Sequence, residues 1–215
     1  MRMRETRHIS EATIAALAET LCDICHLFGE RQWCLATSGN FSARIDGDHF
    51  LITQSGKDKA RLSPDDLMIC DMRGQAKDPA LIPSAETALH LCLYRHDPGI
   101  GAVFHTHSAT ATILSRRAGS AVDISGYEMQ KAFAGVRSHE TQSHVPVFDN
   151  TQDMGALADS LGHYLGEKRS LAPGFLIRGH GLYGWGRDVT EAQRHVEALE
   201  FLLSCAWQEG FADRQ

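Results

Sequence analysis

The segment His105-Thr106-His107, which follows the apolar run Ala102-Val103-Phe104, constrains this chain more than any other. Successive side chains of a β-strand point to opposite faces, so a strand over 102–107 sets His105 and His107 on the same face. A third histidine, His180, stands far downstream in Arg178-Gly179-His180-Gly181, at the end of the apolar stretch Gly174-Phe175-Leu176-Ile177. Two strand ends that present three imidazoles together make the ligand set of a catalytic zinc site. Such a site has three protein ligands and keeps one position open for water or substrate. The chemistry expected there is polarisation of a carbonyl. The chain has 12 histidines, enough for one His-x-His pair to arise by chance, so the surrounding motifs decide the reading.

Apolar periodicity predicts mixed elements. A helix is expected from the N-cap Ser10 to Phe28, stopped by Gly29, and a hairpin joins 36–45 to 49–53 around Asp46-Gly47-Asp48. A turn or single helical turn at 63–66 leads into a strand over 67–71. Pro83-Ser84-Ala85-Glu86 opens a helix that ends near His96, and a further helix covers 108–117. After a short extended piece at 145–147, Asn150 or Thr151 caps a helix, a strand covers 174–178, and Asp188-Val189-Thr190-Glu191 opens the last helix as a capping-box variant. No repeat or linker interrupts this order. The expectation is one α/β domain over residues 1–215, with a largely antiparallel sheet covered by helices.

Composition removes several classes of function. A net charge of −6, with basic residues scattered apart from Arg116-Arg117 and Lys168-Arg169, leaves no footprint for nucleic acid. No apolar stretch is read as approaching membrane-spanning length, and the basic start at residues 1–7 is followed by no apolar region, so neither a membrane nor a secretory signal is expected. Six cysteines then read as reduced thiols in a cytoplasmic protein. Cys22-Asp23-Ile24-Cys25-His26 matches a haem-attachment pattern, but it lies inside the helical stripe Ile14, Leu17, Leu21, Ile24 and Phe28 and is set aside. The chain has neither a G-x-G-x-x-G nor a Walker loop.

Small anions remain as ligands. Ser38-Gly39-Asn40 and Ser55-Gly56-Lys57 are small-residue turns at strand ends whose amides, hydroxyls and ammonium suit a phosphate. Ser84 adds a hydroxyl at a helix N-terminus, where the dipole favours an anion. Glu86, in the first turn of that helix, reads either as an ordinary dipole-complementing residue or as a metal-adjacent carboxylate. Glu128, in Tyr127-Glu128-Met129-Gln130-Lys131, is a candidate base for a proton beside a polarised carbonyl. The other histidines are given ordinary roles. His195 is expected at the surface or an interface, and His139 is the one most open to revision.

The order Ser-Gly-Asn, Ser-Gly-Lys, Pro-Ser-Ala-Glu, His-Thr-His and Gly-His-Gly, over residues 36–186, resembles the class II aldolase/adducin family. That resemblance implies a three-layer α/β/α fold around a mainly antiparallel sheet and a homotetramer. It also implies a zinc ion held by His105, His107 and His180, and a sugar-phosphate substrate bound near Ser38, Gly39, Asn40, Ser55, Gly56, Lys57 and Ser84. The stretches 36–42, 55–59, 127–131 and 146–150 resemble the dehydratase branch of the family. That branch implies loss of water from a 5-methylthio ketose 1-phosphate, with Glu128 as acid and base. Aldolases of the family use the carboxylate at the position of Glu86, and this chain carries both. A fuculose- or rhamnulose-type aldolase, a pentulose-phosphate 4-epimerase and a non-catalytic adducin-like module are the competing expectations.

Overall fold

The computed structural model describes residues 9–167 and 172–212; the stretch 1–7, His8 and the Lys168-Arg169 doublet lie outside them. Its strands are β1 (Asn40–Arg44), β2 (His49–Thr53), β3 (Leu67–Asp71), β4 (Ala102–Thr106), β5 (Ala121–Ile124), β6 (Ser143–Phe148), β7 (Gly174–Ile177) and β8 (Gly181–Gly186). Its helices are α1 (Glu11–Glu30), α2 (Thr87–His96), α3 (Ala109–Arg117), α4 (Met154–Gly166) and α5 (Val189–Ala212). The strands form one sheet in the order β3-β2-β1-β4-β8-β7-β6-β5. Every neighbouring pair is antiparallel except β6 and β7.

β4 lies inside the sheet between β1 and β8 and is buried at all five positions, which accounts for its apolar run. Its alternation divides the molecule into layers. Phe104 packs with Phe28 and Phe41 in a core formed with α1 and α5. Val103 joins the opposite core, with Leu89 and Leu93 of α2 and Leu157 and Leu161 of α4. The result is the expected three-layer α/β/α arrangement, with the sheet in the middle.

Several local expectations change. Ser10 caps α1 through Thr13 N at 3.2 Å, but the helix runs past Gly29 to Glu30. Gly29 is instead a packing residue, since a Cβ there would lie 2.5 Å from the Ala60 Cβ. By length and composition α1 is apolar enough to cross a membrane, which corrects the reading that no stretch approaches such a span. Its apolar stripe, including Leu21, Ile24 and Phe28, is buried in the protein core. Both Cys22 and Cys25 face that core too. Asp153, rather than Asn150 or Thr151, caps α4 by accepting from Ala156 N at 3.0 Å. At α5, Asp188 accepts from Glu191 N, and Glu191 reaches back one residue further than a capping box requires, to Arg187 N. β5 and β8 were not expected as strands.

Candidate active site

The register of the sheet builds the centre. His105 on β4 pairs with Asn40 on β1 and Tyr183 on β8, so the three side chains form a row facing the α2 layer. The Tyr183 ring stacks on His105 at 4.0 Å and on Phe175 at 4.8 Å. His105 is fully buried, and its Nδ1 lies 2.9 Å from the Leu182 carbonyl oxygen. A carbonyl can only accept, so Nδ1 carries the proton and Nε2 presents a lone pair. His107 follows the end of β4, and its backbone N–H donates to Trp33 O at 2.6 Å. His180 sits in the turn between β7 and β8, where its carbonyl accepts from the Thr112 hydroxyl at 2.8 Å. The next residue must be glycine, because a Cβ at Gly181 would lie 2.1 Å from Thr106 O. That close approach brings the His180 turn onto the end of β4.

His105 Nε2 is 2.8 Å from His107 Nε2 and 3.3 Å from His180 Nε2. Three nitrogens bound to one tetrahedral ion at about 2.1 Å are about 3.4 Å apart, so the cluster fits a divalent metal with small adjustment. Burial pushes the His105 and His107 imidazolium forms down, His107 to about 4, which leaves the neutral rings that a metal needs at neutral pH. Glu86 closes one side, with Oε1 3.3 Å from His180 Nε2 and Oε2 3.6 Å from His105 Nε2. It also accepts from the Asn40 amide and, at 3.3 Å, from the Tyr183 hydroxyl. Burial alone would raise its carboxyl, but the His180 hydrogen bond, the attraction of His105 and His180 when those rings are protonated, and the Asn40 hydrogen bond outweigh burial and hold it below the usual carboxylate range.

Beside the cluster lies a cavity of about 170 Å³, lined among others by Ser38, Gly39, Asn40, Ser55, Gly56, Ser84, Glu86 and His107. The turns expected to bind an anion therefore converge. At Gly39, φ is +82° and a Cβ would lie 2.7 Å from His105 O, so the Ser-Gly-Asn turn is fastened to the metal strand. The Ser38 hydroxyl is buried without a partner among the described residues. Lys57 is a correction: its ammonium pairs with Asp66 at 2.7 Å and does not line the cavity. The cation there is Lys59, 1% exposed, which donates to the Thr37 and Lys57 carbonyls at 3.1 and 2.7 Å. An ammonium has three donors, so one remains for a ligand. A second cavity, of about 380 Å³, shares Glu86 and His107 with the first and is lined also by His180, Thr112, Asn150, Gln152 and Met154.

Glu128 is not brought to this cluster within the chain. It starts a short 3-10 turn at 128–132, its side chain is 69% exposed, and it pairs with Lys131 at 2.5 Å and His139 at 3.1 Å. His195, expected at the surface or an interface, is 2% exposed and bridges Trp185 O to Ala134 N.

Behind the metal strand, Glu200 of α5 accepts from Thr106 and Ser108, the residues on either side of His107, at 2.7 and 2.5 Å. Nothing in the sequence marked it. Burial pushes its carboxyl up from 4.5 to about 7. A folded-state value above the unfolded one favours folding below the unfolded value, and that advantage is lost as pH rises through about 7. Glu200→Gln resembles the protonated form. In metal-free protein it is expected to match the parent near pH 4.5 and to exceed its stability above pH 7, by on the order of 3 kcal/mol. Urea unfolding at several pH values checks this; a variant less stable than the parent above pH 7 would contradict it.

The chain belongs to the Class II Aldolase and Adducin N-terminal domain family, whose profile matches residues 19–207. Within it, the chain is 50% identical over 193 residues to the methylthioribulose-1-phosphate dehydratase of Marinobacter nauticus, covering 89% of this chain and 92% of that protein. The methylthioribulose-1-phosphate dehydratase of Pectobacterium carotovorum is 49% identical over 185 residues, 86% of this chain and 90% of that one. Among solved structures, the L-fuculose-1-phosphate aldolase of Thermus thermophilus superposes with a TM-score of 0.75 at 26% identity, over 94% of this chain and 99% of that one.

Proposed function

We propose that this chain is a hydro-lyase that converts 5-methylthioribulose 1-phosphate into 2,3-diketo-5-methylthiopentyl 1-phosphate, a step of methionine salvage. The observation that carries the reading is the convergence of His105, His107 and His180 in a chain 50% identical over 193 residues to a named dehydratase. We propose zinc as the ion held there, where it supplies Lewis-acid polarisation of the substrate C2 carbonyl. The phosphate enters the cavity above Lys59, among the Ser38-Gly39 and Ser55-Gly56 turns and Ser84. The second cavity, which shares His107 with the first and reaches Met154, takes the methylthio end. The C3 proton passes to Glu128, and the C4 hydroxyl leaves as water with a returned proton. The resulting C3 enol becomes the ketone.

Because Glu128 is exposed and lies off its own cluster, it acts on the cluster of a neighbouring protomer in a homotetramer, with residues 1–215 forming one domain in each protomer. Exposed Met129 beside it and exposed Leu35, two residues from the carbonyl that fixes His107, are apolar residues for such a neighbour to cover. Six free cysteines, four of them buried, suit a reducing cytoplasm.

Lys59→Met is expected to raise KM about ten- to a hundredfold, the worth of one charge-assisted hydrogen bond to phosphate, with metal content unchanged. Unchanged KM in steady-state assays would remove Lys59 from the phosphate site. The contact of Glu86 with the cluster favours one second reading, an aldolase in which Glu86 serves as acid and base. Parallel assays with 5-methylthioribulose 1-phosphate and fuculose 1-phosphate separate the two. Dehydration of the first with no cleavage of the second is expected; cleavage of fuculose 1-phosphate alone would overturn the dehydratase reading.

A further inference from the structure

A buried chain of hydrogen bonds runs behind the centre. Tyr94 OH lies 2.7 Å from the Ser42 hydroxyl, which lies 2.7 Å from His90 Nδ1. His90 Nε2 contacts Asn40 Oδ1, and the Asn40 amide nitrogen contacts Glu86 Oε2. His90 is fully buried, as is Ser42, and Tyr94 is 2% exposed, so no solvent competes for these groups.

With a neutral His90 ring such a chain has only two polarities. In one, Tyr94 donates to Ser42, Ser42 donates to His90 Nδ1, the His90 Nε2–H donates to Asn40 Oδ1, and the Asn40 amide donates to Glu86. In the other, His90 carries its proton on Nδ1 and Asn40 is turned over, which sets its carbonyl oxygen against the Glu86 carboxylate. Glu86 Oε2 already accepts from the Tyr183 hydroxyl at 3.3 Å, so that arrangement places two acceptors in contact. The first polarity is the one the side chains adopt, with the Asn40 amide nitrogen on Glu86 Oε2 and the Asn40 oxygen on His90 Nε2.

We infer that His90 is a positioning residue, whose Nε2–H tautomer orients the Asn40 amide and thereby holds the Glu86 carboxylate against the imidazole cluster. The Asn40 oxygen and one of its two N–H donors are committed to this chain, while Asn40 also lines the ligand cavity. His90 lines neither ligand cavity; it reaches Glu86 by hydrogen bonds through Asn40, and its ring also meets Tyr183 edge-on at 5.8 Å. The activity arm of the test rests on the proposed dehydratase reading, whereas the tautomer arm does not.

The first measurement is ¹⁵N–¹³C correlation of the histidine rings in the metal-loaded protein at neutral pH. A neutral His90 protonated on Nε2 is expected; protonation on Nδ1 overturns the inference, whatever the substrate proves to be. The second compares variants. His90→Gln keeps one donor toward Asn40 and one acceptor toward Ser42, and is expected to retain kcat within about tenfold, whereas His90→Leu loses about a hundredfold in kcat with KM and metal content kept. A His90→Leu protein with parental kcat, or a His90→Gln protein as impaired as His90→Leu, overturns it. Should His90→Leu not fold, the His90→Gln comparison and the tautomer decide.

Discussion

Replacing His107 with alanine is expected to empty the metal centre and abolish turnover together. His107 Nε2 lies 2.8 Å from His105 Nε2, inside a cluster whose ligand atoms are all within 4.8 Å of one another. Removing it leaves two imidazoles, one fewer than the three protein ligands of a catalytic site. Glu86 is no ready replacement, because its carboxylate is already engaged by Asn40, Tyr183 and His180. Lewis-acid assistance supplies several kcal/mol of transition-state stabilisation, so turnover should fall by at least about a thousandfold. The fold should persist, since His107 follows the last residue of β4 and its backbone bond to Trp33 remains. Elemental analysis for bound metal, with kcat on the same sample, checks this. A variant with full metal content and normal turnover would contradict it.

Glu128→Gln is expected to behave differently, keeping the metal and the fold while losing about a hundred- to ten-thousandfold in kcat, the usual worth of a positioned acid or base. Its side chain is 69% exposed, so little stability depends on it. Its carboxyl lies below the ordinary value, first because Lys131 donates a hydrogen bond to it and then because of the Lys131 and His139 charges, so it is ionised and ready to accept a proton at neutral pH. Because the proposed site joins Glu128 of one protomer to the imidazoles of another, two inactive proteins can complement each other. Unfolding and refolding an equal mixture of Glu128→Gln and His107→Ala protein should restore roughly a quarter of the sites, those pairing an intact cluster with an intact neighbour. A mixture as inactive as its components, in a demonstrated hetero-oligomer, would place Glu128 and the cluster on one chain or outside the reaction.

The centre was legible where backbone periodicity alone decides position. The two-residue period of a strand puts His105 and His107 together, and small-residue turns marked the cavity before any fold was available. Side-chain direction was harder to read. Lys57 and Lys59 stand two residues apart in one polar stretch, and only the packing of the 3-10 turn at 59–61 against α1 buries Lys59 and turns Lys57 toward Asp66. β8 is masked in the sequence by glycines that read as turn residues. They are there for close approach: a Cβ at Gly184 would lie 2.6 Å from Val196, and one at Gly186 would lie 2.3 Å from the Ala192 nitrogen, both on α5. His90 and Glu200 were hidden for another reason. Each lies on a helix whose neighbours are mostly apolar, and its polar partners come from strands 48 and 94 residues away in sequence, as with Ser42 and Thr106.

The scaffold shared with the Thermus thermophilus aldolase leaves open which bond a polarised ketose breaks. Cleavage begins with loss of the C4 hydroxyl proton and breaks C3–C4; dehydration begins with loss of the C3 proton and expels the C4 hydroxyl. The most direct measurement is ¹³C NMR of zinc-loaded protein with 5-methylthioribulose 1-phosphate labelled at C3 and C4. The account predicts that C3 becomes a ketone carbon and C4 a methylene, with the carbon chain intact. Separation of C3 from C4 into two products, or an unchanged spectrum from protein holding one metal per chain, would contradict it.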